Sequence, residues 1–413
     1  MKRSSLLARV NHKADIQILD GNQAAARGAK LARVQVIAAY PITPQTPLTE
    51  ALSEFVERGE LKAEYVAVES EHSALTVCVS ASMAGARTFT GTSSHGLAYM
   101  HEMLHWTAGA RLPVVLACVN RAIGAPWNIL NDQQDSISQR DTGWIQIYAR
   151  NNQEILDSII QAYRIAETVY VPVMVCYDGY VLSHADMPVS IPSQEDVDGF
   201  LPPYQPHTIL DPANPKNYNL VTLANPRANV DGVLCHGYME LRYLLQEALQ
   251  NSRATIIKVG QEFGERFGRN YANVLWADRL DNADIVMVAM GSLAMEAIVA
   301  ADMLREEGHK VGVLGLRVFR PFPKADVLQA LKKARLVIVF DKNISYGSEG
   351  ATCSEIKAAL YGSDVRAVIR NFIVGLGGRD VKARELADAV RKSLPLMGKG
   401  ALNAEYPEWV CYI

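Results

Sequence analysis

The feature that most limits what this chain can fold into is a repeated alternation. Short apolar runs each stop at a polar or Gly/Pro-rich turn and give way to a segment with helical spacing. The runs include Val36-Ile37-Ala38-Ala39, Tyr65-Val66-Ala67-Val68, Pro113 to Asn120 (PVVLACVN) and Val171 to Tyr177 (VPVMVCY). Runs apolar at successive positions are buried on both faces, as in parallel sheets. Strand and helix alternating at this pace imply an α/β fold with a doubly wound parallel sheet. In such sheets ligands usually bind in the loops at the carboxyl ends of the strands.

Those loops are where the unusual residues lie. The first strand runs into Tyr40-Pro41-Ile42-Thr43-Pro44-Gln45-Thr46-Pro47, three prolines in seven residues. Each proline fixes its own φ and pushes the preceding residue toward extended geometry, so Tyr40, Thr43 and Thr46 belong to a stiff, non-helical turn. Later loops present Glu69-Ser70-Glu71-His72, Gly91-Thr92-Ser93-Ser94-His95-Gly96, Arg121, and a long polar stretch from Ala122 to Asp141 with Trp127 in its midst. Long loops in compact domains are usually functional. The periodicity predicts helices over 21–29, packed closely through its alanines, and over 48–57, 72–83, 99–107 and 158–168.

From about His184 to Arg242 the pattern dissolves into Pro, Asn and Asp, with eight prolines between Pro188 and Pro226, and an extended arm laid over a surface is expected. A helix is predicted over 239–251 and a strand over 255–259. A second α/β unit begins near Ala283: IVMVAM, a helix over 294–307, a single strand VGVLGLRV capped by Arg320-Pro321-Phe322-Pro323, a helix over 324–333, and LVIVF leading to Asp341-Lys342-Asn343. A final strand over 365–372 ends at Gly375-Leu376-Gly377-Gly378-Arg379-Asp380.

At 413 residues there is room for two or three cores, and the net charge of -3 gives no reason to expect nucleic acid or an anionic membrane as partner. No window has the length of apolar chain that spans a bilayer, and Met1 to Arg9 is too short in apolar residues for a secretory signal, so a cytoplasmic location is expected. The six cysteines form no C-x-x-C pair, so neither a metal site nor an iron–sulfur cluster is expected in this chain. Dinucleotide, P-loop, nucleophile-elbow and zincin motifs are missing, as is the Gly-Asp-Gly with paired Asn that holds a diphosphate-bound Mg²⁺ in thiamine enzymes.

On spacing alone each candidate has two readings. Glu71, ending a buried strand beside small residues, could keep an unusual protonation state and bond a ring nitrogen of a ligand, or simply favour a helix N-terminus. Arg121 could bind a carboxylate or phosphate, or pair with Asp132, Asp135 or Asp141. Thr43 and Tyr40 could donate to a carbonyl oxygen or be plain turn residues. His72 and His95 are possible acids or bases, and Trp106 and Trp127 are either substrate contacts or packing residues.

The proline run, the VESEHSA segment ending at Ala74, and VNRAIGAPWNILNDQQDSISQRDTGWIQ (Val119 to Gln146) resemble the α subunit of the 2-oxoacid:ferredoxin oxidoreductases, the pyruvate synthase and phenylglyoxylate dehydrogenase type. The likeness continues through Phe263 to Arg269, Arg320 to Pro323 and Gly375 to Asp380, nearly the whole chain. It implies a transketolase-like pyrimidine-binding domain over 1–255, including the arm at about 184–240. A transketolase carboxy-terminal-like domain would follow over 256–413. It also implies oxidative decarboxylation of a 2-oxo acid with coenzyme A to acyl-CoA, CO₂ and two electrons. Thiamine diphosphate would be shared with a β subunit that holds the diphosphate and Mg²⁺. A γ subunit and a ferredoxin-like subunit would complete the complex, with iron–sulfur clusters on the partners and ferredoxin or a similar acceptor.

By this resemblance Glu71 binds N1′ of the aminopyrimidine and favours the tautomer that activates the cofactor. Arg121 pairs the substrate carboxylate, Thr43 donates to the 2-oxo oxygen, and Tyr40 lines the pocket. Gly124, Trp127 and His105-Trp106 depart from the pyruvate-type pattern; a smaller residue after Arg121 and new aromatic faces point to a bulkier or aromatic 2-oxo acid such as phenylglyoxylate, with pyruvate kept open. Two other classes stay open at this point: a noncatalytic scaffold subunit, and a transketolase-type transferase.

Overall fold

The computed structural model describes residues 15–206, 228–230, 233–235, 237–398 and 406–410. Two parallel sheets carry it. In the first, seven strands lie in the order Val318–Arg320, Ile145–Tyr148, Val173–Asp178, Val115–Asn120, Thr88–Thr92, Val36–Ala39, Glu64–Ala67. All neighbours are parallel except the edge pair of Val318–Arg320 with Ile145–Tyr148. The second sheet has six strands in the order Leu275–Asp278, Val311–Leu316, Ile285–Met290, Leu336–Asp341, Val368–Ile373, Glu408–Trp409. It is parallel apart from its first strand.

The central strands are buried along their whole length, as their apolar sequences require. Helix Gly21–Leu31 starts at an Asp20/Gln23 capping box and buries four alanines. A Cβ on Gly28 would stand 2.9 Å from Cβ of Ile159 in helix Asn152–Val169, so the two helices meet at backbone distance.

Three expectations fail for identifiable reasons. Residues 255–259 are not a strand but the middle of helix Tyr238–Phe267. The β-branched run Thr255-Ile256-Ile257 favours a strand locally, yet Leu245, Ser252, Ile256, Val259 and Phe263 recur at helical spacing and form its buried face. The run VGVLGLRV is two strands: Val311–Leu316 belongs to the second sheet and Val318–Arg320 to the edge of the first. Between them Arg317 turns inward, donating to Gln161 Oε1 at 3.1 Å.

The proline-rich arm is also more regular than its composition implies. Met187–Ile191 pairs antiparallel with Asp15–Leu19, and Ser193 caps a helix over Gln194–Phe200 whose Phe200 packs edge-on against Phe263 at 5.3 Å. Ala228–Val230 and Val233–Cys235 form an antiparallel pair, and residues 207–227 of the arm lie outside the described residues.

The carboxyl ends of the two sets of strands face one another across a polar seam. Asp178, ending a strand of the first sheet, accepts from Ser292 N at 2.8 Å and from the Ser292 hydroxyl, both following strand Ile285–Met290. Lys342, at the end of strand Leu336–Asp341, donates to Asn131 Oδ1 at 2.6 Å and lies 3.4 Å from Asp178. The long loop after Arg121 is the middle of this seam.

Candidate active site

The proline turn is locked from three sides. Asn22 donates to the carbonyl of Pro44 at 2.8 Å and is itself held by the Tyr177 hydroxyl at 2.9 Å. Pro44 packs on Gly179, where a Cβ would lie 2.8 Å from its ring. Arg121 donates to the carbonyl of Thr43 at 2.9 Å. Thr43 is thus exposed at the tip of a fixed turn, with half-buried Tyr40 at its base.

Glu71 is the first residue of helix Glu71–Met83, which Ser70 caps by accepting from Ser73 N. The residue is 8% exposed, and among the described residues no donor pairs with its carboxylate. It lies against the backbone of Gly96, where a Cβ would come within 2.6 Å of Glu71 Oε1 and 2.4 Å of Thr92 Oγ1. Gly96 therefore leaves the space in which these two oxygens converge. Thr92 Oγ1, Ser93 Oγ and both polar atoms of Gln45 are buried with no hydrogen-bond partner. Gln45 covers the other face of that strand, its Nε2 3.1 Å from where a Cβ on Gly91 would be. Buried polar groups are normally satisfied, so an unpartnered Thr92 hydroxyl beside the Glu71 carboxylate is a place built for a polar ligand. A donor-bearing, acceptor-bearing heteroaromatic ring such as an aminopyrimidine fits that set.

Arg121 is buried, and its guanidinium bonds two carbonyls, Thr43 O and, at 3.0 Å, Asn128 O. The salt bridge to an aspartate does not form: Asp135 accepts instead from the Arg121 backbone N–H at 2.9 Å. Burial pushes the guanidinium below its usual value, with Tyr180 and Asp135 opposing. A buried cation bonded to neutral carbonyls and to no carboxylate among the described residues keeps its charge available to an anion. The face of Trp127, itself 77% exposed, lies 5.8 Å from it.

Gly124 sits at φ +92 with open space where a side chain would be. Its N–H donates to His95 Nε2 at 3.1 Å, which makes Nε2 the unprotonated nitrogen and leaves Nδ1–H facing Ser94 Oγ at 3.1 Å. His95 is thereby a loop fastener. His72 points to the other side of its helix, 3.5 Å from Glu102. His105 is edge-on to His101 at 4.9 Å and lines a cleft with Arg140, Arg242 and Arg320, so it does not join Arg121; Trp106 is half exposed on the same helix.

The sequence offered Asp135 only as a possible ion-pair partner of Arg121, whereas it is the residue that ties these loops together. Asp135 is fully buried; its Oδ1 accepts from Asn120 Nδ2 and Ser136 N, and its Oδ2 from Ser94 N and Arg121 N, all between 2.7 and 2.9 Å. Burial pushes its carboxyl up to about 7 against those donors. The positive φ of Ser94, a non-glycine residue, is the strain this carboxylate holds in place. Gln45, Thr92, Ser93 and Gly96 fall in stretches the sequence singled out as loops, although Thr92 ends a strand and Gly96 lies in helix Ser94–Tyr99, and their roles depend on contacts that only the fold creates. Among the described residues no group of three or more His, Cys, Asp or Glu is placed to hold a metal ion, and no helix is long and apolar enough to cross a membrane.

Two family models match the chain: "Pyruvate flavodoxin/ferredoxin oxidoreductase, thiamine diP-bdg" over residues 27–249, and "Pyruvate:ferredoxin oxidoreductase core domain II" over 283–386. The ketoisovalerate oxidoreductase subunit VorA of Pyrococcus horikoshii is 46% identical over 394 residues, covering 95% of this chain and 97% of that protein. The pyruvate synthase subunit PorA of Methanocaldococcus jannaschii is 51% identical over 377 residues, covering 90% and 93%. Among solved structures, a 2-oxoglutarate:ferredoxin oxidoreductase from Magnetococcus marinus, with 2-oxoglutarate, coenzyme A and succinyl-CoA bound, aligns with TM-score 0.69 at 19% identity. It covers 92% of this chain, which spans 66% of that longer one. A split-gene transketolase aligns with TM-score 0.53 at 13% identity over 91% of this chain and 98% of its own, so the fold is transketolase-like. The chain belongs to the pyruvate flavodoxin/ferredoxin oxidoreductase family, as a subunit of the PorA/VorA α type.

Proposed function

We propose that this subunit builds the pyrimidine side of a thiamine diphosphate site and the carboxylate-binding side of a 2-oxo acid site. The complex it serves oxidatively decarboxylates a 2-oxo acid with coenzyme A. The single observation that carries this reading is the meeting of the Glu71 carboxylate, which has no donor among the described residues, with the buried, unpartnered Thr92 hydroxyl over the backbone of Gly96. Glu71 holds or releases a proton at N1′ of the pyrimidine. Thiamine diphosphate, when bound, supplies the carbanion chemistry that a side chain cannot. Arg121 pairs the substrate carboxylate, and Thr43 and Tyr40 orient the 2-oxo group from the rigid turn.

A companion β subunit holding the diphosphate and Mg²⁺, a γ subunit, and ferredoxin-like iron–sulfur subunits that pass electrons to ferredoxin in the cytoplasm complete the proposal. So does the division into a pyrimidine-binding unit to about residue 255 and a second unit from about 256, joined by helix Tyr238–Phe267, which runs across that boundary.

For the substrate, the open space at Gly124 and the exposed face of Trp127 beside Arg121 favour a 2-oxo acid with a side chain larger than methyl, branched or aromatic. Turnover of the reconstituted complex on pyruvate, 2-oxoisovalerate and phenylglyoxylate tests this. A kcat/KM highest for pyruvate overturns the large-pocket reading. The Glu71→Gln subunit tests the site itself, since full turnover in that complex would leave the carboxylate with no catalytic part and the chain a scaffold.

A further inference from the structure

The loop that carries the substrate arginine's partners is not supported by its own sheet alone. Between Asn128 and Gln134 it is fastened repeatedly by the second unit. Asn128 Nδ2 donates to Gly377 O at 2.9 Å, and Gly378 N donates to Asn131 O at 2.6 Å. Gly377 N donates to Asp132 Oδ2 at 3.1 Å, Gln133 N to Lys342 O at 2.8 Å, and Ile344 N to Gln134 Oε1 at 2.9 Å.

The two glycines are demanded twice over. Gly377 and Gly378 have φ +59 and +75, where other L residues are disfavoured. A Cβ at Gly377 would lie 2.6 Å from Asn128 Nδ2, and one at Gly378 would lie 2.3 Å from Leu130 Cβ. The backbone of Gly375-Leu376-Gly377-Gly378 is therefore in face-to-face contact with the loop, at a distance only glycine allows.

Asn128 is the link to the chemistry. Its side chain bonds Gly377 O and, through Oδ1, the Leu130 N–H at 2.7 Å, while its own carbonyl accepts from Arg121 Nε at 3.0 Å. With Thr43 O taking Nη1, the orientation of the guanidinium plane is set by two carbonyls. One belongs to the rigid proline turn of the first unit. The other's position is dictated by the second unit.

We propose that the Gly377–Gly378 turn and Asn128 are positioning residues for the 2-oxo acid: the second unit aims Arg121, and so sets substrate affinity, without touching the substrate. This rests on the reading of Arg121 as the carboxylate-binding residue. A planar guanidinium recognises a carboxylate in two parallel bonds, so tilting its plane loses binding that a flexible ammonium would keep.

The test uses the reconstituted complex with Gly377→Ala, Gly378→Ala, Asn128→Ala and Arg121→Ala subunits, and Gly347→Ala as control. Gly347 has φ +80 and open space at Cβ, so it carries the same backbone penalty away from the loop. The expected result is a KM for the 2-oxo acid raised about tenfold or more in the Gly377, Gly378 and Asn128 variants. The apparent affinity for thiamine diphosphate stays unchanged in these variants, and Gly347→Ala has a wild-type KM. Hydrogen exchange over residues 121–134 is expected to speed up in the same variants, which reads the loop even if the glycine variants assemble poorly. If Arg121→Ala raises KM while Asn128→Ala and the glycine variants keep wild-type KM and exchange, the clamp is refuted and the site reading stands. If Arg121→Ala also leaves KM unchanged, the site reading itself has failed.

Discussion

Replacing Gly96 by alanine isolates the space beside Glu71. Gly96 lies in the short helix Ser94–Tyr99 with no positive φ, so the backbone accepts alanine and local helix propensity favours it by about 1 kcal/mol. The new methyl would meet Glu71 Oε1 at 2.6 Å and Thr92 Oγ1 at 2.4 Å, whereas ordinary contact begins near 3.4 Å. Each oxygen must therefore retreat by roughly 0.8 to 1 Å, the shortfall between those distances. Overpacking of that kind costs about 1–3 kcal/mol, so after the propensity gain the net loss is about 0–2 kcal/mol, a small shift in melting temperature. Function responds much more, because a displacement near 1 Å at a reacting group costs on the order of 100-fold. The assay is turnover of the reconstituted complex as a function of thiamine diphosphate concentration, beside a melting curve of the same subunit. Wild-type turnover and cofactor affinity in a folded Gly96→Ala subunit would refute the placement of the cofactor against this glycine.

Other outcomes follow from the same geometry. Asp135 has a folded pKa of about 7, above the ordinary 3.8, so its protonated form is favoured by folding. Its contribution is fully present below about pH 4 and is lost as pH rises through about 7, so Asp135→Asn should flatten that part of the stability profile; parallel pH profiles from chemical denaturation would contradict it. Arg269 pairs both oxygens of buried Asp157, so Arg269→Ala should cost about 3–5 kcal/mol in denaturant unfolding by leaving that charge to the neutral donors Tyr271 and Gln153 alone, and a loss under about 1 kcal/mol would show the pair to be dispensable. Trp127→Ala removes an exposed side chain, so it should leave the melting temperature nearly unchanged while weakening selection for bulky 2-oxo acids, measured as the ratio of kcat/KM for phenylglyoxylate over pyruvate.

The alternation of apolar runs and loops was enough to read the doubly wound sheet, because burial on both faces writes itself into consecutive residues. Where one apolar run feeds two sheets the signal fails: Leu316 and Val318 are equally strand-like, and only tertiary contact sends them to different sheets on either side of Arg317. Residues 255–259 show local propensity losing to helical spacing over a longer window. Thr43 and Arg121 were legible as loop residues after buried strands; Glu71 was not, because the strand before it, Glu64–Ala67, is the half-exposed edge of the first sheet and Glu71 itself begins a helix. The Thr43–Arg121 bond was not, since it spans 78 positions, nor was the choice of Asp135 over Asp132 and Asp141, which depends on which carboxylate the loop turns inward. The dependence of the Arg121 loop on Gly377 and Gly378 was invisible for the same reason: it spans some 250 residues of sequence.

The proposed site depends above all on Glu71 acting on the pyrimidine. The most direct measurement is the rate at which thiamine diphosphate, bound to the reconstituted complex, exchanges its C2 proton with D₂O, followed by quenched-flow NMR. With Glu71→Gln the exchange should slow by about 100-fold or more while the cofactor stays bound. Exchange at the wild-type rate would contradict the account.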